Sequence, residues 1–268
     1  MIFIEKPEAK LILQKGASLD DIYEHIDKCA RVSYKSEPKG NSRAFVHKLI
    51  EAKHMSVLEH GTVYLSTNDC NMRERYMSNP YSFVHINDES GFSTITTNYR
   101  VIKENGWEGD FAELDFNSDF QERRLSILVT TDIGTSRELN RHRAFSITEQ
   151  STRYCNFSKA KFGEELTFLT PPWYKGDDKA SMSFEEACSN AESDYMSLID
   201  FGWTAQQARE VLPLSLVTRV VYTGTYTQFR KLIDMRKYGS TGKPHPNCVN
   251  TADAIEKVLD EWVSLNNK

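Results

Sequence analysis

Arg124-Leu-Ser-Ile-Leu-Val-Thr-Thr-Asp-Ile-Gly-Thr-Ser-Arg-Glu138 is the stretch whose reading sets the fold class. Its first eight residues are rich in aliphatic and β-branched side chains and predict a strand. Asp132-Ile-Gly134 predicts a turn. Thr135-Ser-Arg-Glu138 has the spacing of a capping box, in which the Thr hydroxyl caps a free N–H and the Glu reaches back. A helix is therefore expected to begin near Ser136 and to carry Glu138, Arg141 and His142, with 150–154 following as loop or strand.

Working outward, Ser18-Leu-Asp-Asp21 reads as a helix start, and Leu19, Ile22, Ile26 and Cys29 follow at helical spacing. A second helix is expected over 41–53, with Phe45, Leu49 and Ala52 on one face. Alternation predicts a strand over 62–67. Residues 68–122 hold the turn signals Asn79-Pro80, Glu89-Ser-Gly91 and Glu104-Asn-Gly106 around a β-rich run from Ser93 to Ile102, and read as a long hairpin-like insertion. Toward the C-terminus, Ser183-Phe-Glu-Glu186 fits a capping box before a stripe of Phe184, Ala187, Cys188, Ala191, Tyr195, Leu198 and Ile199. Gly202 predicts a kink, and Thr204-Ala-Gln-Gln207 a further box before a short helix that ends by Pro213. A strand over 215–226, a helix over 228–238 closed by Gly239, and an amphipathic helix over 251–265 complete the chain. Irregular alternation of this kind implies an α+β fold, a mixed or antiparallel sheet flanked by helices. We expect one catalytic domain over 1–268 with an insertion at about 68–122.

The 268 residues are 39% hydrophobic and 26% charged, which favours a folded globular chain over a disordered one. The net charge of −5 allows nucleic-acid binding only through a local basic patch. No apolar run approaches the roughly 20 residues of a membrane span. Met1-Ile-Phe-Ile-Glu-Lys-Pro7 is too short an apolar start for a signal peptide, so the expected compartment is the cytoplasm. Cys29, Cys70, Cys155, Cys188 and Cys248 are scattered and lack a CxxC pair, which argues for reduced thiols rather than a disulfide scaffold or zinc ribbon. His54 and His60 have no Cys, Asp or Glu set to complete a metal site, so no metal is expected.

The chemistry concentrates in Arg141-His-Arg-Ala-Phe-Ser-Ile-Thr-Glu-Gln-Ser-Thr-Arg-Tyr154. Three arginines, a histidine and a carboxylate in one short stretch suit an anionic ligand with polar edges, such as a nucleotide. A solvated basic helix end is the bland alternative, since Arg and His complement the carbonyl dipole. Ser151 in such a cluster is expected to orient a ligand rather than to attack it, because no general base can be assigned to it.

The pattern Arg141-His142-Arg143, seven residues, then Ser151 resembles the signature of flavin-dependent thymidylate synthases, and Glu149, Arg153 and Tyr154 match its longer form. His54-Met-Ser-Val-Leu-Glu-His60, Ala30-Arg-Val-Ser33, Ala208-Arg-Glu-Val-Leu-Pro213 with Thr218, and the Phe229…Arg236 pair also resemble family segments. The resemblance implies reductive methylation of dUMP to dTMP with FAD, methylenetetrahydrofolate and NADPH, in a homotetramer with shared sites. It implies FAD contacts from Arg141, His142, Arg143 and Glu149, and from Ser56 of a neighbouring subunit. It implies a dUMP site lined by Glu138, Arg141, Glu149, Gln150, Ser151, Thr152 and Arg153, with Arg209 reaching the nucleotide from another subunit. Arg236 would polarise the uracil at N3, so Arg236 and Ser151 are the residues assigned to the reaction itself. No cysteine stands in the Pro-Cys-His setting of a thiolate-dependent enzyme, so chemistry without a cysteine nucleophile is expected.

The chain departs from the family at Glu138, where Gln is usual, at Thr148, where Asn is usual, and at Thr225, Thr227 and Lys231, where an Asn-x-Arg pair and a further Asn stand. Those last departures keep open a second reading, a catalytically silent relative that binds nucleotide or flavin. A nucleic-acid-binding protein built on Arg141–Arg153 is the third, and the acidic net charge argues against it.

Overall fold

Side chains that cap helices decide where most elements begin in the computed structural model, which describes residues 1–38, 40–115 and 122–266. After β1 (Ile2–Ile4) and β2 (Glu8–Ile12), Ser18 accepts the Asp21 N–H and starts α1 (Leu19–Arg31), which buries Ile22, Ile26 and Cys29. Asn41 caps α2 (Ser42–Glu51), whose buried residues are Val46 and Leu49; Phe45 packs beside them, whereas Ala52 lies beyond the helix and is exposed. β3 (Thr62–Thr67) is buried on both faces rather than alternating, because a helix layer covers one side and the main sheet meets the other. The 68–122 stretch is more than a hairpin. It holds α3 (Cys70–Met77), β4 (Phe83–Ile86), β5 (Ser93–Asn98) and α4 (Tyr99–Asn105), while 116–121 lie outside the described residues. The β-rich run stops at Asn98, because its side chain accepts the Val101 N–H and turns Tyr99 to Ile102 into helix.

β6 (Arg124–Asp132), α5 (Ile133–Leu139), β7 (Ser146–Glu149) and β8 (Thr167–Leu169) follow. α6 (Lys179–Asp200) is capped by Asp178, one turn before the expected Ser183, and buries Cys188 and Tyr195 of the predicted stripe. Thr204 and Gln207 form the expected capping box of α7 (Ala205–Ala208). β9 (Val217–Thr225), α8 (Tyr226–Arg236) and α9 (Pro246–Asn266) close the chain. The main sheet is antiparallel in the order β2-β6-β9-β7, a second antiparallel sheet has the order β3-β5-β4, and β1 pairs with β8 in parallel. This is the α+β architecture expected. Ile127, Val129 and Tyr222 of the main sheet bury against Phe229, Leu232, Ile255 and Leu259 of α8 and α9. Each such side chain contributes about 1.5–3 kcal/mol. A separate core joins α1, α2 and the second sheet through Ile26, Val46, Leu65 and Ile95. No helix among the described residues is long and apolar enough to cross a membrane.

A buried polar chain ties α1 and the Met55–His60 turn to the main sheet. His25 Nε2 shares a hydrogen bond with Ser126 Oγ (2.7 Å), Ser126 with Thr223 Oγ1 (2.5 Å), Thr223 with His60 Nδ1 (2.7 Å), and His60 Nε2 with Thr148 Oγ1 (2.8 Å). It links α1, β6, β9, the 3-10 turn Met55–His60 and β7. Core packing is thus the role of His60, whereas His54 is exposed. Gly61 lets the turn approach α1, since a Cβ there would lie 2.7 Å from Ile26 Cδ1.

Burial pushes the His25 pKa down from 6.5 to about 3 and the His60 pKa well below 6.5. The unfolded chain therefore binds more protons than the folded one below pH 6.5. Stability is greatest above that value and is lost as pH falls toward the folded values. Urea midpoints should already decline between about pH 6.5 and 5, above the carboxylate range, and His25→Gln should flatten the decline. An unchanged slope in the variant would remove His25 from the account.

Candidate functional site

β6 delivers the chain to the site through Asp132, not Thr135. Asp132 Oδ1 accepts the Thr135 N–H (2.7 Å), and Oδ2 accepts the Thr135 hydroxyl (2.7 Å) and Asn247 Nδ2 of α9 (3.1 Å). α5 therefore starts at Ile133, and Glu138 does not reach back to cap it. The helix ends at Leu139, which places Arg141, His142 and Arg143 on the turn beyond it rather than on the helix. Phe145 anchors that turn by packing 4.7 Å, centroid to centroid, from Phe229.

Arg236, the last residue of α8, closes the arrangement from the helix that packs on the same face of the sheet. Its Nε donates to His142 Nε2 (3.0 Å), Nη1 to Glu138 Oε2 (3.2 Å) and Nη2 to the Glu138 carbonyl (3.0 Å). A guanidinium has only donors, so His142 Nε2 must offer its lone pair and the ring proton sits on Nδ1. Burial, followed by the Arg236 charge, pushes the His142 pKa down, and the imidazole is neutral at pH 7. The Arg236 side chain is 21% exposed and that of Glu138 39%, so the cluster opens to solvent. The end of α8 is itself held. Lys237 donates to Asp253 (2.7 Å) and Glu256 (2.6 Å) of α9.

Glu149 ends β7 with its carboxylate satisfied from within. Oε1 accepts from Ser136 Oγ (2.7 Å) and Thr218 Oγ1 (3.0 Å), and Oε2 from Asn140 Nδ2 (3.2 Å). Tyr222 OH donates to Asn140 Oδ1 (2.8 Å) and fixes that amide. Past β7, the Gln150 N–H donates to the Arg219 carbonyl (2.8 Å) and the Ser151 N–H to the Ser33 carbonyl (2.9 Å). The Ala30–Ser33 segment is thereby seated against the signature. Ser151 Oγ accepts the Arg153 N–H (3.2 Å), and Arg153 Nε donates to Gln206 (2.8 Å). Thr152 is half-buried between them. Ser33 also lines a cleft of about 450 Å³ with Tyr34, His54, Ser56 and Arg100.

The structure thus brings together Glu138, His142 and Arg236, and gathers Glu149, Ser151 and Arg153 around the end of β7. Arg141 and Arg143 are exposed and form no ion pair among the described residues, which leaves two cations for an anionic ligand. Ser56 and Arg209 do not reach the Arg236 cluster within the chain; Arg209 lies 3.5 Å from Glu210. Sequence reasoning missed Ser136 and Asn140 as partners of Glu149, although both flank the site on α5 and its cap. Among the described residues no group of His, Cys, Asp and Glu is placed to hold a metal ion. Cys29, Cys155, Cys188 and Cys248 are buried free thiols and Cys70 is exposed.

A flavin-dependent thymidylate synthase of Geobacter sulfurreducens is 33% identical over 88 residues, 33% of this chain and 36% of that protein. One of Corynebacterium aurimucosum is 34% identical over 110 residues, 38% of this chain and 44% of that protein. The chain therefore matches less than half the length of these relatives. The crystal structure of a UMP/dUMP methylase, PolB from Streptomyces cacaoi bound with 5-Br UMP, shares the fold with a TM-score of 0.50 at 18% identity, covering 99% of this chain and 92% of that one. The Thy1 family model, thymidylate synthase complementing protein, matches residues 88–263, which take in β6, the Arg141–Tyr154 stretch and Arg236. With the motif, the fold and two thirds of its length in agreement, the chain belongs to the Thy1 family of thymidylate synthase complementing proteins.

Proposed function

We propose that the protein is a flavin-dependent thymidylate synthase that converts dUMP to dTMP, with methylenetetrahydrofolate as carbon donor and FAD reduced by NADPH. The observation that carries this reading is the convergence of Arg236 on Glu138 and His142 across 98 positions of sequence. These are residues that the resemblance assigns to nucleotide and flavin. The names of the relatives and the Thy1 match support the same activity.

The residues present fit a flavin dinucleotide. Arg141 and Arg143 are exposed cations suited to its diphosphate, beside His142 and Glu149, and Ser56 lines an open cleft for a neighbouring subunit. Flavin supplies hydride chemistry when bound. The chain binds, orients and polarises. Arg236 faces the uracil imide and stabilises the negative charge that builds on the ring. A charged hydrogen bond of this type contributes about 1.5–3 kcal/mol. Neutral His142 and the Glu138 carboxylate hold the fork of Arg236 in place before the nucleotide arrives. Glu138, Arg141, Glu149, Gln150, Ser151, Thr152 and Arg153 line the dUMP site, and Arg209 of another subunit adds a cation to the nucleotide. Ser151 orients the ligand, its oxygen already accepting the Arg153 N–H. The working unit is a cytoplasmic homotetramer of single-domain chains with the 68–122 insertion.

No cysteine acts as nucleophile in this scheme. Burial and the neighbouring Glu138 push the Cys248 thiol up to about 12, and burial pushes Cys29 to about 12 and raises Cys155 and Cys188. Cys70 begins α3, in the other sheet's layer. One observation favours the silent-relative reading instead. The Thr225 side chain is buried and its hydroxyl accepts the Gln228 N–H (3.3 Å) to cap α8, so it is turned to the helix rather than to a flavin. Retained flavin without dTMP formation would identify that case.

Arg236→Ala should keep bound flavin, read from its visible absorbance, and lose dTMP formation by about 10²- to 10³-fold. Near-normal turnover would place uracil activation elsewhere. Cys248→Ala should stay folded and keep turnover within about fivefold, a change near 1 kcal/mol. Complete loss of turnover in a folded, flavin-bound Cys248→Ala protein would contradict the cysteine-free scheme.

A further inference from the structure

The face of the main sheet opposite α8 and α9 carries, at its far end, a row of polar side chains that the scheme above leaves largely unused. Glu8 pairs in register with Thr130, and Thr130 with Arg219. Gln150 continues the row, its N–H bonded to the Arg219 carbonyl at 2.8 Å. Under this row lies a cavity of about 170 Å³, walled by Phe157, Phe162 and Leu216, which are buried. Lys35 lines it from the other side, with Nζ donating to the Phe162 carbonyl (3.3 Å).

Lys35 is half-buried and Arg219 exposed, and three features single out this pair among the cations. Neither forms an ion pair among the described residues, although fifteen other pairs hold most of the buried or half-buried charges. The two carboxylates on the cavity wall are occupied or distant: Glu165 binds the Met1 ammonium at 3.0 Å, and Glu8 stands two strands from Arg219. Lys35 also holds a left-handed backbone at φ 45, a strained conformation for a residue with a Cβ, at the point that turns it toward the cavity. Burial, followed by the Arg219 charge, pushes the Lys35 pKa down, as expected for two like charges sharing one small space.

We infer that this cavity binds a small oxyanion, a phosphate or carboxylate group held between the Lys35 ammonium and the Arg219 guanidinium, with the Gln150 amide as a neutral donor. Lys35, half-buried, and Arg219, exposed at the cavity rim, are like charges without a counter-charge, and an anion between them converts that repulsion into two charge-assisted hydrogen bonds. The volume admits a phosphate group and excludes a whole nucleotide. The oxyanion can come from a nucleotide whose base lies beyond Ser151, or from free phosphate. The nucleotide source rests on the proposed function; the cavity's affinity for phosphate does not.

The test is a thermal-unfolding and calorimetric titration of the full chain with inorganic phosphate, against chloride at matched ionic strength. Wild-type protein should bind with a Kd of about 1 mM or tighter, with a saturable rise in Tm. Lys35→Met/Arg219→Met should melt higher than wild type without phosphate and should lose the response. Lys35→Arg, which keeps the charge, should retain it, and the single Lys35→Met serves if the double variant fails to fold. An equal phosphate response in wild type and Lys35→Met/Arg219→Met, or none in wild type, would overturn the inference. Saturation of wild type only at several hundred mM, on the order of bulk screening, would mean an adventitious ion only. Competition of dUMP, but not deoxyuridine, with phosphate identifies the nucleotide as source, and additive binding identifies free phosphate. None of these readouts requires flavin or turnover, so failure here is separable from failure of the proposed activity.

Discussion

A guanidinium offers five N–H donors and accepts nothing, and at Arg236 this asymmetry organises the site. Its three acceptors are the carboxylate and carbonyl of Glu138 and one ring nitrogen of His142. Each bond constrains something different. The Glu138 carbonyl ties the end of α8 to the end of α5, the carboxylate supplies counter-charge, and His142 is fixed as a neutral ring with its Nε2 lone pair inward. A half-open cluster of this kind can exchange its internal acceptors for those of a ligand. Exchange of one set of charged hydrogen bonds for another costs little net free energy and leaves the guanidinium already aimed.

What aims it is the sheet. β6 and β9 pair along their whole length, from Arg124↔Thr225 to Asp132↔Val217, and each hands directly to a helix capped by its last residue, Asp132 for α5 and Thr225 for α8. Arg236 is therefore carried on a helix whose start is fixed by β9 and whose end is fixed by the Lys237 contacts to α9. The chain from His25 to Thr148 adds the Met55–His60 turn to the same sheet, so the Ser56 cleft and the signature strand are tied together by hydrogen bonds. Its histidines are held neutral by burial, and this is why protonation opposes the fold.

Much of this was legible in local sequence. The strands at 124–131 and 215–226, the helices after Ser18 and Thr204, and the α+β class followed from periodicity and capping chemistry. Where local reading erred, a competing cap stood one turn earlier. Asp132 displaced Thr135 because it also receives Asn247 from α9, a partner 115 positions away, and Asp178 displaced Ser183 by accepting the Ser181 N–H. The motif from Arg141 to Tyr154 stood out by composition. The donors of Glu149 did not, since Ser136, Asn140 and Thr218 come from two different elements and only the fold assembles them. The Lys35–Arg219 pair was equally silent, because the sheet register that brings Arg219 beside Gln150 is not a local property.

The central claim is that this arrangement serves flavin chemistry on a uracil nucleotide. The most direct measurement is the visible absorbance spectrum of the purified protein, recorded before and after anaerobic NADPH with dUMP present. The account predicts oxidised flavin bands that bleach on reduction. A protein that holds no flavin, and gains none when FAD is added, would contradict it.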